Sequence, residues 1–310
     1  MSTYVFGPVP SRRLGRSLGI DLVPFKTCTY DCLYCQLGRT TCKTVERKEW
    51  VPLDPVVNEL EKRLDSRPDY ITLSGSGEPT LFSRLDELVA RIKAITSIPV
   101  AVLTNGSLLG NRDVQRQLSR VDLVIPSLDA GGEALFRLVN CPHESLTFEG
   151  VLAGLVSFRR RFAGQYCLEV FMLAAYTTSE AERAAIQRCI DLIKPDRVQL
   201  NTVTRPPADG CATAVSRERL EAIAAEFSPP AEVIADLRGD LPAVVEGTDV
   251  EPILALLRRR PCTVEDIARG LSIAPPTVAK QMEALQAQHL VEPCWNAGNL
   301  YYRSASSPAP

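Results

Sequence analysis

Three cysteines close together constrain this chain more than any other feature of its sequence. Cys28, Cys32 and Cys35 follow an apolar segment near the N-terminus. Thiolates are the soft ligands that hold iron in iron–sulfur clusters. A four-iron cluster offers four irons, and this loop supplies three ligands, so one iron stays open to a substrate or a cofactor. The spacing therefore predicts chemistry at a cluster, not simple electron transfer.

The composition is that of a globular protein without secretion or membrane signals. The 310 residues are 45% hydrophobic and 23% charged, which is enough for a sizeable core and a small second domain. The N-terminal stretch has no apolar signal region, and no apolar run reaches the roughly 20 residues of a membrane span. We therefore expect a cytoplasmic protein with no membrane contact.

Charge and cysteine content narrow the function classes further. A net charge of −2 gives no global attraction toward nucleic acid or anionic lipid, although a local basic patch is compatible with it. Reducing compartments keep thiols free, so the ten cysteines favour metal binding or burial over a disulfide framework.

From about residue 17 to residue 202, short β-rich runs alternate with amphipathic helical stretches. This alternation predicts an α/β fold with a parallel sheet and helical crossovers. The candidate strands are residues 18–23, 70–73, 100–104, 123–127, 168–173 and 197–201. Such a sheet either closes partway as a barrel or lies open as a doubly wound sheet, and periodicity does not separate the two. In both, ligands bind at the carboxyl ends of the strands.

Polar and glycine-rich segments follow the predicted strands at that end. Glycine lets a backbone approach a ligand closely, and the Glu78 carboxylate suits an ammonium group. Asn, Ser and Asp also favour turns and helix caps, so local capping and ligand binding remain equal alternatives for the later segments. The candidates, in strand order, are Ser76, Gly77, Glu78, Thr104, Asn105, Ser127 and Asp129, with Glu169, Gln199 and Asn201 on the last two strands.

The cysteine loop resembles the signature of the radical S-adenosylmethionine (SAM) superfamily, including the aromatic Tyr34 directly before the third cysteine. The segment Ser76-Gly-Glu-Pro is similar to the Gly-Gly-Glu-Pro segment that receives the SAM amino group in relatives, with serine in place of the first glycine. The resemblance implies a partial (β/α)6 radical SAM barrel over residues 1–205. It also implies a [4Fe-4S] cluster on the three cysteines, SAM at the open iron, and a flavodoxin- or ferredoxin-like one-electron reductant.

The same resemblance implies a reaction. One-electron reduction splits SAM into methionine and a 5′-deoxyadenosyl radical, which takes a hydrogen atom from the substrate. Relatives commonly hold the methionine carboxylate and the ribose hydroxyls at the positions of Thr104, Asn105, Ser127 and Asp129. The runs Pro-Ser-Arg-Arg-Leu-Gly and Leu-Asn-Thr-Val-Thr-Arg-Pro-Pro look like the group of iron–sulfur oxidoreductases that includes wyosine-type tRNA-modifying enzymes.

Several residues have a bland interpretation beside a functional one. A zinc site would need a fourth ligand, for which Cys42 is the nearest candidate. Cys141 follows the fourth strand and is our candidate hydrogen-atom donor, while a loop cysteine without a role is the simpler interpretation. Arginines at positions 12, 13, 16 and 205 suit an anion or an electron-donor protein, and a solvated basic edge is an equal alternative.

The C-terminal residues 250–303 predict a small winged helix-turn-helix domain. Three helices at residues 252–260, 264–270 and 275–288 precede strands at 290–292 and 300–303, which are joined by a turn at Asn296-Ala-Gly-Asn299. Residues 206–249 are predicted as a connector with one helix at 216–227, and the Ser/Pro/Ala-rich residues 304–310 as a disordered tail.

The partner of this domain is open at the sequence level. Its six basic and five acidic residues give a net charge of +1, which is low for a DNA-binding domain. Thr277, Lys280 and Gln281 are the candidate recognition residues. We therefore carry three hypotheses. The first is an enzyme that docks an RNA or peptide substrate, and the second is a transcriptional regulator whose cluster senses redox state or SAM while the winged helix binds DNA. The third is a small-molecule radical enzyme whose C-terminal domain binds a partner reductase.

Overall fold

A computed structural model describes residues 4–11, 13–235, 250–271, 273–296 and 298–305. Arg12, part of the predicted connector (236–249), Ala297 in the predicted wing turn and the tail from residue 306 lie outside these ranges. The strands are β1 (Val5–Ser11), β2 (Gly15–Ile20), β3 (Thr27–Cys28), β4 (Cys42–Lys43), β5 (Tyr70–Leu73), β6 (Val100–Thr104), β7 (Leu123–Pro126), β8 (Gln165–Met172), β9 (Arg197–Thr202), β10 (Glu232–Val233), β11 (Val291–Asn296) and β12 (Asn299–Ser304). The α-helices are α1 (Leu53–Glu61), α2 (Leu85–Ile95), α3 (Arg112–Gln117), α4 (Glu133–Asn140), α5 (Phe148–Arg159), α6 (Glu180–Ile193), α7 (Arg217–Glu226), α8 (Glu251–Leu257), α9 (Val264–Leu271) and α10 (Pro275–Ala287).

The main sheet carries the predicted strands and positions the candidate site. Among the described residues it has eight strands in the order β1-β2-β5-β6-β7-β8-β9-β10. Strands β2 and β5 to β10 run parallel, and β1 pairs antiparallel with β2. All six predicted strands are present as β2 and β5 to β9, which confirms the α/β class and the parallel sheet of a partial barrel.

Two features of the sheet differ from the prediction. The segment before the first predicted strand is itself a strand, β1, whose Pro8 and Pro10 hid it, because proline is tolerated on a sheet edge but is not a strand former. The first predicted strand, 18–23, lies at Gly15–Ile20 instead. The chain leaves the sheet at Asp21, whose carboxylate accepts a hydrogen bond from the backbone N–H of Ser76.

The crossover helices bury the faces that periodicity predicted. Leu85, Leu88, Val89 and Ile92 of α2 are fully buried, as are the apolar residues of α1 that face the sheet. Truncating one such leucine to alanine typically costs about 2–5 kcal/mol, so this layer holds the strand ends in place. No helix in the described ranges is long and apolar enough to cross a bilayer.

The C-terminal residues form the predicted three helices and a two-stranded hairpin. Helices α8, α9 and α10 pack around Ile253, Ile267, Val278 and Met282, which are fully buried. Strands β11 and β12 pair antiparallel as the wing, and β12 ends at Ser304, the first residue of the predicted tail. The described part of the connector contains α7 and also β10, which extends the main sheet beyond residue 205.

The winged helix contacts the barrel through polar side chains. Arg259, two residues after the end of α8, forms an ion pair of 2.8 Å with Asp21 just after β2. Arg205 lies 3.4 Å from Asp266 of α9, and Tyr301 of β12 donates a hydrogen bond to the backbone carbonyl of Thr204. The C-terminal elements therefore cover the same end of the sheet at which the sequence places its special residues.

Candidate active site

The cysteine loop lies directly above the carboxyl end of β2. Strand β3 carries Cys28 and pairs with β4, so the first cysteine is held by backbone pairing. The N–H of Cys35 donates to the carbonyl of Cys32, which closes a turn between the second and third cysteines. All three cysteines are half-buried and unpaired with one another. The loop thus offers three thiols from one short segment.

Each of these sulfurs has a side-chain N–H donor beside it. The donors are Asn105 Nδ2 at 3.5 Å from Cys28, Asn140 Nδ2 at 3.6 Å from Cys32 and Lys26 Nζ at 3.1 Å from Cys35. Hydrogen bonds to cluster sulfurs raise the reduction potential of an iron–sulfur centre. The sequence analysis did not identify Lys26 or Asn140. The only signal for Lys26 was a charged residue two positions before the first cysteine.

The donor set fits an iron–sulfur cluster better than a single metal ion. One loop supplies three thiols, each beside an N–H donor, and it supplies no fourth ligand. This donor set matches a cluster with one open iron. One zinc ion would need its ligands around a single point at about 2.0–2.3 Å. Among the described residues, no three His, Cys, Asp or Glu side chains are grouped in that way. Cys42 is exposed on β4.

Burial raises the pKa of two of the three thiols, Cys28 and Cys32. It raises the pKa of Cys28 to about 12, with the Glu78 carboxylate as the next cause. The pKa of Cys32 is also raised, first by burial and then by the charge of Asp129. Metal ligation by these cysteines must therefore release protons, which makes it tighter at higher pH.

The segment after β5 is joined to the cysteine loop by backbone contacts. Ser76 accepts a hydrogen bond from the N–H of Lys26 at 2.6 Å and donates its own N–H to Asp21. A Cβ on Gly77 would lie 1.9 Å from the carbonyl oxygen of Thr27, so no other residue fits there without moving the loop. This glycine fixes the height of the loop above the sheet.

Glu78 accepts hydrogen bonds from two other predicted site residues, Thr104 and Asn105. One carboxylate oxygen accepts from the hydroxyls of Thr80 and Thr104, both at 2.6 Å, and the other from the backbone N–H of Asn105 at 2.8 Å. Burial raises the pKa of this carboxyl group. Glu78, Thr104 and Asn105 therefore form one cluster that ties the end of β5 to the end of β6.

A second cluster joins Tyr34 to the fourth predicted strand. The Tyr34 hydroxyl donates to Asp129, which also accepts from Asn140 Nδ2 at 2.8 Å. The Tyr34 ring stacks on Phe171 with the centroids 3.9 Å apart. Burial raises the pKa of Asp129 to about 6, while the bonds from Tyr34 and Asn140 oppose the shift. Ser127 lies two residues earlier, in a backbone bridge to Glu169.

The remaining candidates are spread over the site. Arg13 reaches across the sheet to an ion pair with Glu169 of β8 and donates to Gln199 of β9 at 3.3 Å. The carboxamide oxygen of Asn201 accepts from its neighbour Thr202. Cys141 ends α4 in a left-handed conformation (φ 41°) and is half-buried with its thiol directed to the carbonyl of Leu138.

Comparison with known proteins now gives the family. The model of the radical SAM superfamily matches residues 22–185, which is more than half of the chain. The chain belongs to the radical SAM superfamily. A second model, described as bacterial regulatory protein, arsR family, matches residues 252–292, the three C-terminal helices and the start of the wing.

Curated relatives agree with this assignment over most of the chain. A UPF0026 protein of Methanocaldococcus jannaschii is 34% identical over 87% of this chain and 86% of its own length. A protein of Brachyspira hyodysenteriae named GTPase Obg is 42% identical over 91% of this chain, but the chain spans 42% of that protein. The similarity to the Methanocaldococcus jannaschii protein therefore extends over most of both chains.

Solved structures support the fold. A radical SAM methyltransferase from Sphaerobacter thermophilus superposes with a TM-score of 0.53 over 72% of this chain and 67% of its own, at 16% identity. The hydrogenase maturase HydG from Carboxydothermus hydrogenoformans gives 0.51 over 70% of this chain and 54% of its own, at 15% identity. At this identity the likeness shows the fold alone.

Proposed function

We propose that this radical SAM enzyme binds a [4Fe-4S] cluster through Cys28, Cys32 and Cys35 and cleaves SAM reductively at the open iron. Held by these three thiolates and supplied with one electron by a flavodoxin- or ferredoxin-like donor, the cluster would provide reductive cleavage of SAM to methionine and a 5′-deoxyadenosyl radical, the species that would take a hydrogen atom from the substrate. The observation that carries the proposal is the loop of three thiols, each with its own N–H donor, joined to the segment after β5.

The chain's own residues would hold SAM around that loop. Within the segment Ser76–Glu78, the carbonyl of Gly77 suits the amino group, because Gly77 lines a cavity. The carbonyls of Ser76 and Glu78 already accept backbone N–H groups, and the Glu78 carboxylate accepts from Thr104 and Asn105. Tyr34 and Asp129 lie together at the ends of the loop and β7, where a ribose or adenine group would meet them. Ser127 offers a hydroxyl at the same end. Cys141 stays our candidate hydrogen-atom donor, from its position after α4.

The first experiment measures cluster assembly and SAM cleavage in one preparation. Protein reconstituted anaerobically with iron and sulfide should hold about four irons, and dithionite with SAM should give 5′-deoxyadenosine by mass spectrometry. Cys32→Ala should lose the cluster, because two thiolates do not hold it firmly. Cys42→Ala is the matched control, since this exposed cysteine lies beside the loop on β4.

The outcomes separate the cluster from a zinc site. Near-stoichiometric iron in Cys32→Ala would contradict the ligand assignment. Loss of metal in Cys42→Ala would make this residue a fourth ligand and favour zinc. An intact cluster that produces no 5′-deoxyadenosine would favour the sensor hypothesis over the enzyme.

A DNA-binding regulator is the second candidate, because residues 252–292 match a regulatory protein family. The exposed face of α10 carries Lys280 and Glu283, so its charges cancel and phosphate attraction is weak. Thr277 is exposed on the same helix, whereas Gln281 is half-buried. A gel-shift titration against random DNA and RNA duplexes tests this candidate, and binding that survives 200 mM salt would support it.

A further inference from the structure

A cavity of about 310 Å³ lies between the barrel strands and the C-terminal helices. Its floor includes Ser17 of β2 and Thr72 of β5, whose hydroxyls are 2.7 Å apart. Its upper edge includes Gly77, in the segment that the proposed function assigns to SAM, and Gly75 just before that segment. The cavity therefore adjoins the proposed cofactor site.

Every charged residue that lines this cavity is an arginine. Arg13 comes from the turn between β1 and β2, Arg205 from the segment after β9, and Arg259 and Arg260 from the end of α8. The C-terminal helices therefore supply half of the positive charge in a cavity that the barrel alone would leave open.

The carboxylates nearby do not balance these four charges. Arg13 pairs with Glu169, Arg259 with Asp21 and Arg205 with Asp266, which leaves one cation in excess. Arg260 forms no ion pair with a described residue. The charge of Arg205, which lines the same cavity, lowers the pKa of Arg260, with burial as the second cause.

Arg205 also has an unused donor. Its side chain is 4% exposed, and its Nε has no hydrogen-bond partner among the described residues. Its other nitrogens lie 3.5 Å from Gln36 and 3.4 Å from Asp266, both long contacts. A buried donor without a partner costs about 1–3 kcal/mol, and a bound anion would remove that cost.

We propose that this cavity binds a small substrate through an anionic group, a carboxylate or a phosphate, held by Arg205 and Arg260. Planar guanidinium groups match the oxygens of both anions in a bidentate geometry. A site of 310 Å³ partly covered by α8 admits a small molecule and not an RNA strand or a folded peptide. The inference deepens and rests on the proposed function, since the anion would sit beside SAM.

The test measures anion binding without turnover. The full-length reconstituted protein is titrated calorimetrically with inorganic phosphate and, separately, with malonate; the tighter probe identifies which anion the site prefers. Arg260→Gln should weaken binding about 10- to 100-fold, the effect of one charge-assisted hydrogen bond. Arg258→Gln is the matched control, because this neighbouring arginine is exposed, pairs with Glu251 and does not line the cavity.

A second readout separates the substrate from SAM. The SAM affinity of Arg260→Gln should equal that of the wild type, and saturating SAM should not displace the anion. Displacement would mean that the arginines hold the SAM carboxylate, which would overturn the inference. Failure of both probes to bind the wild type, or equal losses in Arg258→Gln and Arg260→Gln, would overturn it as well.

Failure here and failure of the proposed function give different results. If SAM is cleaved but no anion binds, the enzyme stands and its substrate site lies elsewhere. The site consists of the chain's own side chains, so Cys32→Ala without its cluster should still bind the anion. Anion binding with no SAM cleavage in the wild type would keep the site and reject the radical reaction.

Discussion

Lys26 gives the sharpest prediction for the electron-transfer step. Its ammonium group lies 3.1 Å from the Cys35 sulfur, and the residue is 2% exposed. A fixed positive charge beside the cluster stabilises the reduced form, which carries one more negative charge. Lys26→Met should therefore lower the reduction potential. Methionine is also unbranched at Cβ, so it meets the left-handed φ of 58° at this position with the same backbone cost as lysine.

The size of the shift follows from Coulomb's law. Two unit charges about 4 Å apart interact by about 4 kcal/mol at an effective dielectric constant of about 20. The added electron spreads over the cluster, which reduces this to about 2–4 kcal/mol. For a one-electron step, about 1.4 kcal/mol corresponds to about 59 mV, so the expected decrease is about 80–170 mV.

The assay is potentiometric titration followed by electron paramagnetic resonance of the reduced cluster. Lys43→Met is the control, because this lysine is exposed on β4, donates to the Cys141 carbonyl and is screened by solvent. It should shift the potential by far less than Lys26→Met. Equal potentials in Lys26→Met and the wild type, at equal iron content, would refute the assignment of this charge to the cluster.

Three other substitutions test neighbouring contacts by urea unfolding. Gly75→Ala should cost about 2 kcal/mol or more, since φ is +129° and its Cβ would lie 2.0 Å from Asp21, whereas the open Gly210→Ala should change little. Asp21→Asn should cost about 3–5 kcal/mol by removing the carboxylate charge that pairs with Arg259, and adding Arg259→Gln should restore part of it. Burial raises the pKa of Asp129 to about 6, so the native state binds this proton more tightly than the unfolded chain does. The unfolding free energy should therefore decrease as the pH rises from about 4 to about 6. Asp129→Asn should remove this decrease. If the unfolding free energy of the wild type does not change between about pH 4 and pH 6, the environment assigned to Asp129 is wrong. If Gly75→Ala or Asp21→Asn is as stable as the wild type, the contact that this variant tests is wrong.

Local patterns predicted the elements but not the tertiary contacts that hold the site. Strands β5 and β6 coincide with their predicted residues, because each is a short apolar run between turn signals. The edge strand β1 was missed because two prolines argue against a strand unless its pairing is known. Hydrophobic periodicity predicts which face of an element is buried, but it does not predict which strands pair when they are distant in sequence.

The candidate site shows the same division. The cysteines and the segment around Glu78 stand out because their chemistry is local in sequence. Lys26 looked unremarkable since its importance comes from a sulfur nine residues away. Arg13 and Glu169 are 156 positions apart and meet only because β2 and β8 belong to one curved sheet. Such pairs follow from the closure of the barrel, which no window of the sequence contains.

Asp21 links the two parts of the chain at the point where both would act. One of its oxygens fixes the N–H of Ser76 in the segment assigned to SAM, and the other holds Arg259 of the winged helix. A movement of α8 that pulled Arg259 away would leave this buried carboxylate with one partner, at a cost of several kcal/mol. Asp21 therefore couples the barrel to the winged helix, beside the Arg205–Asp266 and Tyr301–Thr204 contacts, and the C-terminal elements would form part of the proposed site.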